Sequence, residues 1–333
     1  MAFISIALRA LLNLESLSGV ETVGNLARHR TAPIVIPTKD GYTVRFLPVL
    51  SGESIAHAYQ ELLVEEAIQR DLPISSYSRR FEFLKFSDDQ ILKEEGLSPP
   101  VKEDEIRKTE VAILLSDYVA DVGGFLYAGN IPVKRTSCFQ VGYAIPAINE
   151  EEVAALESQF HVRFAPSSKN LQMPYNVEVG SALYTFTFNI DLSRIGVPST
   201  QFGDVDKNNE DRLSSSRVER INGALSAVVK LFSYLSFGAK RSRFLPNMQP
   251  VSLVASYSKG LKFIVSPGNG KDYIPTTVER KDALINTINR LSKEQCSATI
   301  LAFDKEGAAK GLQIPIFNSV EEVLKELVSL AQS

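Results

Sequence analysis

The residues with the most chemistry to offer in this 333-residue chain are basic, and they occur in short groups. Arg28, His29 and Arg30 stand together, as do Arg79 and Arg80, Lys134 and Arg135, and Lys240, Arg241 and Arg243. His161 and Arg163 alternate with Phe160, Val162 and Phe164, and Phe244 is interleaved with the last basic group. Groups of this kind neutralise phosphates. The net charge of −3 gives no general attraction for a polyanion, so nucleic acid would have to be held by these local groups. Three histidines, His29, His57 and His161, open a second chemistry: brought together they would form a general acid–base set that cuts RNA without a metal. A third lies at a helix start, where Ser51, Gly52 and Ser54 could offer free N–H groups to a phosphate, against competition from Glu53.

Other chemistries lack their motifs. There is no GxxxxGK[ST], GxSxG or HExxH, and the run Gly268, Asn269, Gly270, Lys271 is too short to cradle phosphates and reads as a turn. Cys138 and Cys296 are far apart with no CxxC, which indicates neither a disulfide framework nor a zinc knuckle, so no cofactor or metal is expected. No stretch approaches the ~20 apolar residues of a spanning helix. A soluble, cytoplasmic protein without a membrane partner is the expectation.

The elements that must position these groups are legible in hydrophobic periodicity. Ile4, Ile6, Leu8, Ala10 and Leu12 fall on one face of a strand, with Ser5, Arg9 and Asn13 on the other. The longest strand starts near Ala182, its even positions Ala182, Tyr184, Phe186, Phe188 and Ile190 apolar, which predicts a half-buried strand. Ahead of it, two alternating segments flank a tip, 165–174, rich in Pro, Ser, Lys and Asn, including Lys169: a projecting hairpin. Residues 13–33 read as a long loop. Ser51 caps a helix whose stripe is Ile55, Ala58, Tyr59 and Leu62, with His57 turned away from the core. Residues 71–100 look like an irregular insertion with a short helix at 87–95. Residues 103–118 are open to helix or strand, and 121–127 (DVGGFLY) to a turn that brings backbone close to something. Residues 150–157 read as a short acidic helix. A later helix has the stripe Val218, Ile221, Leu225, Val228 and Phe232, with Arg217 and Arg220 elsewhere. A strand over 250–257, a helix from 279 to 291, a strand over 298–303 and a last helix from 320 complete an α+β chain. Strand, helix, strands, helix, strand is the order of a ferredoxin-like or RRM-like palm with large insertions, suited to single-stranded RNA.

The chain resembles the backbone subunit of the archaeal type I-A CRISPR Cascade complex, the DevR-type autoregulator group of the RAMP superfamily. The resembling segments run in family order over nearly all of residues 1–260: NLESLSGVETVGNLARHRTAP, VLSGESIAHAYQ, ADVGGFLYAG with PVKRTS, FHVRF with PYNVEVGSALYTFTFNIDLSRIG, and KRSRFLP with PVSLV. The resemblance implies a modified palm built from residues 1–60, 110–158 and 176–260, a helical fingers insertion at 61–109, a thumb hairpin at 159–175 and a C-terminal α/β extension at 261–333. It also implies copies of the chain polymerised along CRISPR guide RNA, with target DNA held through the guide and other Cascade subunits as partners.

By that resemblance the RNA-facing set is Asn13, Arg28, His29, Arg30, Ser51, Gly52, Ser54, His57, Lys134, Arg135, His161, Arg163, Lys240, Arg241 and Arg243. Relatives that cut RNA place an aspartate in the loop after the first strand. Here Asn13, Glu15 and Glu21 stand in that region with no Asp between Leu12 and Pro33, so a non-catalytic scaffold is expected. The rival expectations are the histidine ribonuclease and a transcriptional autoregulator, the latter without a helix-turn-helix signal.

Overall fold

We describe the protein from a computed structural model, over residues 2–147, 154–163 and 173–333. The chain begins with β1 (Ala2–Glu15), β2 (Gly19–Val23), β3 (Leu26–His29), β4 (Thr31–Thr38) and β5 (Gly41–Pro48). Then come α1 (Gly52–Gln69), α2 (Ser76–Arg79), α3 (Asp89–Glu94), α4 (Ile106–Ser116) and α5 (Tyr118–Gly123). Short strands β6 (Phe125–Tyr127), β7 (Val133–Arg135), β8 (Phe139–Val141) and β9 (Ile145–Pro146) lead to β10 (Ala155–Arg163) and β11 (Met173–Asp191). The remainder is α6 (Lys207–Ser215), α7 (Arg217–Tyr234), β12 (Asn247–Lys259), α8 (Tyr273–Leu291), β13 (Ser297–Asp304), β14 (Ile316–Phe317) and α9 (Val320–Gln332).

β1 sits at the centre of the main sheet because its two faces are both apolar enough to bury. It pairs antiparallel with β12 on one side and β11 on the other, and β11 pairs antiparallel with β8. Ile4, Ile6, Leu8, Ala10 and Leu12 share a core with the even positions of β11, as the alternation indicates. Over this face lie α1, through Ile55, Tyr59 and Leu63, and α7, through Leu225, Val228 and Phe232. Ser51 caps α1 as expected, accepting from the Glu53 N–H, and the Tyr59 hydroxyl ties the helices by donating to the Ala224 carbonyl at 3.1 Å.

The opposite face is also buried, contrary to the half-buried expectation. Ser5, Arg9, Thr185 and Asn189 are all under 9% exposed, because residues after β12 fold back over them. Phe263, Val265, Tyr273 and Ile274 form a second core with Ala7, Val254, Ile300 and Ala302. Arg9 tolerates this burial because its guanidinium donates to both Glu306 oxygens, at 2.8 and 3.0 Å, and to the Gly268 carbonyl at 2.7 Å. A side chain at 268 would not fit: a Cβ there would lie 2.5 Å from Thr185 Oγ1.

Three local expectations change, and one left open is decided. Residues 13–33 are not a loop, since β1 extends to Glu15 and β2 and β3 follow as short strands. Residues 155–157 belong to β10 and not to an acidic helix, while 150–153 lie outside the described residues. Residues 106–116 are helical. On α7, Val218 is 68% exposed, whereas Arg220 turns inward to reach Asp121 at 2.9 Å. The turn at 121–127 does bring backbone close: Gly124 has φ +72°, and a Cβ there would sit 2.5 Å from the Ser137 nitrogen.

Candidate nucleic-acid interface

The hairpin grows out of the sheet through β11 itself. β11 pairs with β1 as far as Gly180, across a register shift between Leu12 and Glu15, and with β10 from Ala155 opposite Ser181 to Arg163 opposite Met173. β3 lies parallel along the other side, Leu26 and Ala27 beside Asn176 and Val177. The hairpin tip, 164–172, including Lys169, and the side chain of Arg163 lie outside the described residues.

A buried polar brace holds the root of the hairpin. Glu15, fully buried at the end of β1, accepts from the Tyr184 hydroxyl at 2.9 Å and from the Leu17 N–H at 2.8 Å. His29 Nε2 lies 2.6 Å from Glu15 Oε1, and Nδ1 lies 2.8 Å from the Arg30 carbonyl. The Glu178 carboxylate accepts the His29 backbone N–H at 2.8 Å. Burial would lower the imidazole pKa, but Glu15, the Arg30 carbonyl and Glu178 outweigh it and hold the pKa above its ordinary value. Gly180 makes room for this arrangement, since a Cβ there would lie 2.5 Å from Glu15 Oε1.

Against this root stands the loop of residues 237–246, pinned by the Ala239 N–H donating to the Leu17 carbonyl at 2.8 Å. Gly238, at φ +87°, allows the approach, because a Cβ there would come 2.5 Å from Leu17 Cβ. The loop presents Lys240, Arg241, Arg243 and Phe244. Partial burial and the neighbouring Arg243 charge push the Lys240 pKa below its ordinary value. Arg241 donates from Nη2 to Ser236 Oγ at 2.7 Å, while its Nε is buried without a hydrogen-bond partner among the described residues. Phe244 meets His161 edge-on at 5.5 Å, and His161 stacks on Tyr175 at 5.3 Å. His161 Nε2 is likewise buried and unpartnered among the described residues. Asn13 is exposed opposite Asn247 in the β1–β12 ladder, and a Cβ on Gly19 would stand 4.0 Å from Lys240 Nζ.

One corner therefore gathers Asn13, His161, Lys240, Arg241 and Arg243 from the expected set. The rest divide. Arg28 is exposed and paired with Glu21 at 3.4 Å, and Arg30 Nε donates to Ser18 Oγ at 3.3 Å. His29 is buried in its brace with Glu15. Ser51 and Gly52 are buried, with a Cβ on Gly52 only 3.1 Å from the Gly142 carbonyl group, so the start of α1 is covered and not an open phosphate seat. Ser54 is partly exposed beside it. His57 is exposed, 3.3 Å from Glu61 and edge-on to Phe83 at 5.0 Å. Lys134 is exposed on β7.

Arg135, like His29, is sealed in the interior. Its guanidinium is fully buried, 2.6 Å from Asp121 and 3.2 Å from Glu110, and it also donates to the carbonyls of Asp121, Arg194 and Val197. With Arg220 on the other Asp121 oxygen it locks α4, α5, β7 and α7 together. The histidines occupy three separate surroundings, one sealed by Glu15, one on the outer side of α1 and one on the hairpin, so no acid–base set is assembled.

Sequence reasoning missed Tyr175, whose place two residues past the described start of β11 offered a weak signal. It also missed Glu15, Asp121 and Glu110, which carry their meaning only through distant partners.

A family described as "CRISPR-associated negative auto-regulator DevR/Csa2" matches residues 6–278. The "CRISPR-associated aCascade subunit Cas7/Csa2 2" of Saccharolobus solfataricus is 45% identical over 328 residues, 97% of this chain and 99% of the relative. The "CRISPR-associated protein Cas7/Csa2 1" of the same organism is 34% identical over 297 residues, 86% of this chain and 89% of the relative. A chain of a solved "CRISPR RNA-guided surveillance complex, pre-nicking" superposes with a TM-score of 0.54 at 10% identity, over 99% of this chain and 100% of that chain, which is a likeness of fold. Among the described residues no helix is long and apolar enough to cross a membrane.

Proposed function

This chain belongs to the CRISPR-associated DevR/Csa2 family, and from that premise we propose that it is the repeated backbone subunit of a Cascade complex, gripping guide RNA without cutting it. The main sheet reads as the RRM-like palm: its order β12, β1, β11, β8, with α1 linking β1 to β8 and α7 linking β11 to β12, is that of a ferredoxin-like unit. The observation that carries the reading is the corner beside the hairpin. The Lys240 and Arg243 charges crowd one another, and two buried polar atoms, Arg241 Nε and His161 Nε2, have no hydrogen-bond partner among the described residues. A phosphate would relieve the crowded cations, and a base would stack on the Phe244, His161 and Tyr175 rings.

Copies of the chain would then line one guide, with target DNA read through the guide's own bases and further Cascade subunits at the ends. Mass photometry with guide-length single-stranded RNA tests this. The expected result is a ladder of several chains per RNA that collapses at high salt. A single chain per RNA, or shortened RNA, would overturn the reading.

A further inference from the structure

The face of the main sheet turned away from α1 and α7 is covered unevenly. The segment after β12 lies over β1, where the Val265 N–H donates to Ser5 Oγ at 3.1 Å. Strand register sets Ser5, Asn189 and Gln140 side by side across β1, β11 and β8, with Asp191 on the same face of β11. The cover does not reach β8, where Gln140 is exposed. Between Lys262 and Ile264 of the covering segment and Gln140 of β8 lies a slot of about 170 Å³, which Asn189 and Asp191 also line.

The polar groups of the slot are unequally satisfied. Asp191 is engaged on both oxygens: one accepts from the Ser193 N–H at 3.1 Å and the other meets Lys262 Nζ at 2.8 Å. The half-exposed Lys262 uses one of its three ammonium donors in that pair. Asn189, 8% exposed, donates from Nδ2 to Gln140 Oε1 at 3.4 Å. Gln140 takes part through its carbonyl oxygen, which leaves the amide nitrogen as a donor. Asn189 Oδ1 is buried with no hydrogen-bond partner among the described residues, a state that costs stability until a donor reaches it.

The slot thus offers one acceptor, Asn189 Oδ1, accompanied by two kinds of donor, the Lys262 ammonium and the Gln140 amide. Its complement is an N–H flanked by two carbonyls, which is the imide edge of uracil or thymine. Cytosine and adenine have a bare ring nitrogen at that position, and guanine would set its amino group against a donor. The volume is below the ~300 Å³ at which pockets for larger ligands begin, so it suits one small ring. An RRM-like sheet face is also where unpaired bases are received in general.

We propose that this slot binds one unpaired uracil or thymine by its imide edge, the N–H donating to Asn189 Oδ1 and the carbonyls accepting from Lys262 Nζ and Gln140 Nε2. The site stands at the Asp191 end of β11, and the basic corner with Tyr175 stands at the other end, so the two are separate. A free nucleoside is enough to occupy it, and the inference does not rest on the backbone reading above.

Saturation-transfer NMR of the full chain with free nucleosides tests it. Uridine and thymidine should both respond, with cytidine and adenosine about fivefold weaker or less, because each leaves Asn189 Oδ1 without a donor. The stronger of the first two tells whether RNA or DNA supplies the base. Asn189→Leu should abolish the uridine response. Gln140→Ala, at an exposed position, should keep the parent melting temperature and weaken the response roughly threefold. Irradiated 4-thiouridine should cross-link to peptides holding Gln140 or Lys262 and Ile264. Equal responses from all four nucleosides, an unchanged uridine response in Gln140→Ala, or cross-links confined to Tyr175 and Phe244 would each overturn the proposal. Loss of the ladder on guide-length RNA would overturn only the backbone reading, since no assembly enters these measurements.

Discussion

His29 Nε2 and Glu15 Oε1 stand 2.6 Å apart at the root of the hairpin, with neither side chain reaching solvent. The contact joins the end of β1 to the end of β3, and Tyr184 of β11 hydrogen-bonds the same carboxylate oxygen. The brace is a pH-dependent one. A histidine whose folded pKa is raised adds stability that is full below its unfolded pKa, near 6.5, and is lost as pH rises through the folded value. Chemical denaturation between pH 6 and 9 should therefore show stability falling with pH, and His29→Ala should flatten that slope. Removing one partner of a buried pair should also lower stability by about 3–5 kcal/mol.

Arg243→Ala and Lys240→Ala should each weaken RNA binding alike across sequences. Each lost phosphate contact should reduce the salt slope for a single strand by about 0.7. Fluorescence anisotropy from 50 to 400 mM salt, on the order of the range where such slopes are read, checks this; an unchanged slope removes that residue from the interface. Because Lys240 titrates below its ordinary value, it should also react faster than an exposed lysine with an acylating reagent, and RNA should protect it.

Phe244→Ala should fail in the opposite way. It removes a ring that meets His161 at 5.5 Å and carries no charge, so affinity should drop by roughly 1–3 kcal/mol with the salt slope intact. The same titration series separates the two behaviours.

Arg135→Ala should lower the melting temperature strongly, since it removes the cation paired with Glu110 and leaves Asp121 only Arg220, and breaking a buried pair costs about 3–5 kcal/mol. Any loss of RNA binding should track the unfolded fraction. A folded Arg135→Ala protein with a reduced salt slope would return Arg135 to the interface.

Glu306→Gln tests the C-terminal fold-back. Burial would raise the Glu306 pKa, but bonds from Arg9 and Ser252 hold it below the ordinary value. Its contribution is present above the unfolded carboxyl pKa and is lost as pH falls through the folded one. The parent should lose stability on acidification in a range where the variant, already weakened, changes less; equal slopes in denaturant melts would contradict this.

Periodicity revealed one face of each strand and was blind to the other. Ala182 through Ile190 alternate clearly enough to locate β11 and its core, yet Thr185 and Asn189 are buried by residues some 80 positions later, which no local pattern encodes. β2 is invisible to periodicity because its five residues are all exposed and so carry no amphipathic signature. Clusters of charge pointed to a loop over 237–248, of which 247 and 248 belong to β12, but could not separate Lys134 from Arg135. Adjacent strand residues face opposite ways, and only the position of Asp121 decides which of the two is sealed.

The strand β11 is gripped by β1 and β8 over its second half and runs out into the hairpin over its first. At ~3.3 Å per residue its 19 residues make a beam of roughly 60 Å. A beam clamped along half its length is a cantilever. Motion at its free end is bending rather than swinging, and a load applied there arrives in the core as torque. The aim of the hairpin is therefore fixed by the sheet, and softening one means first loosening the other.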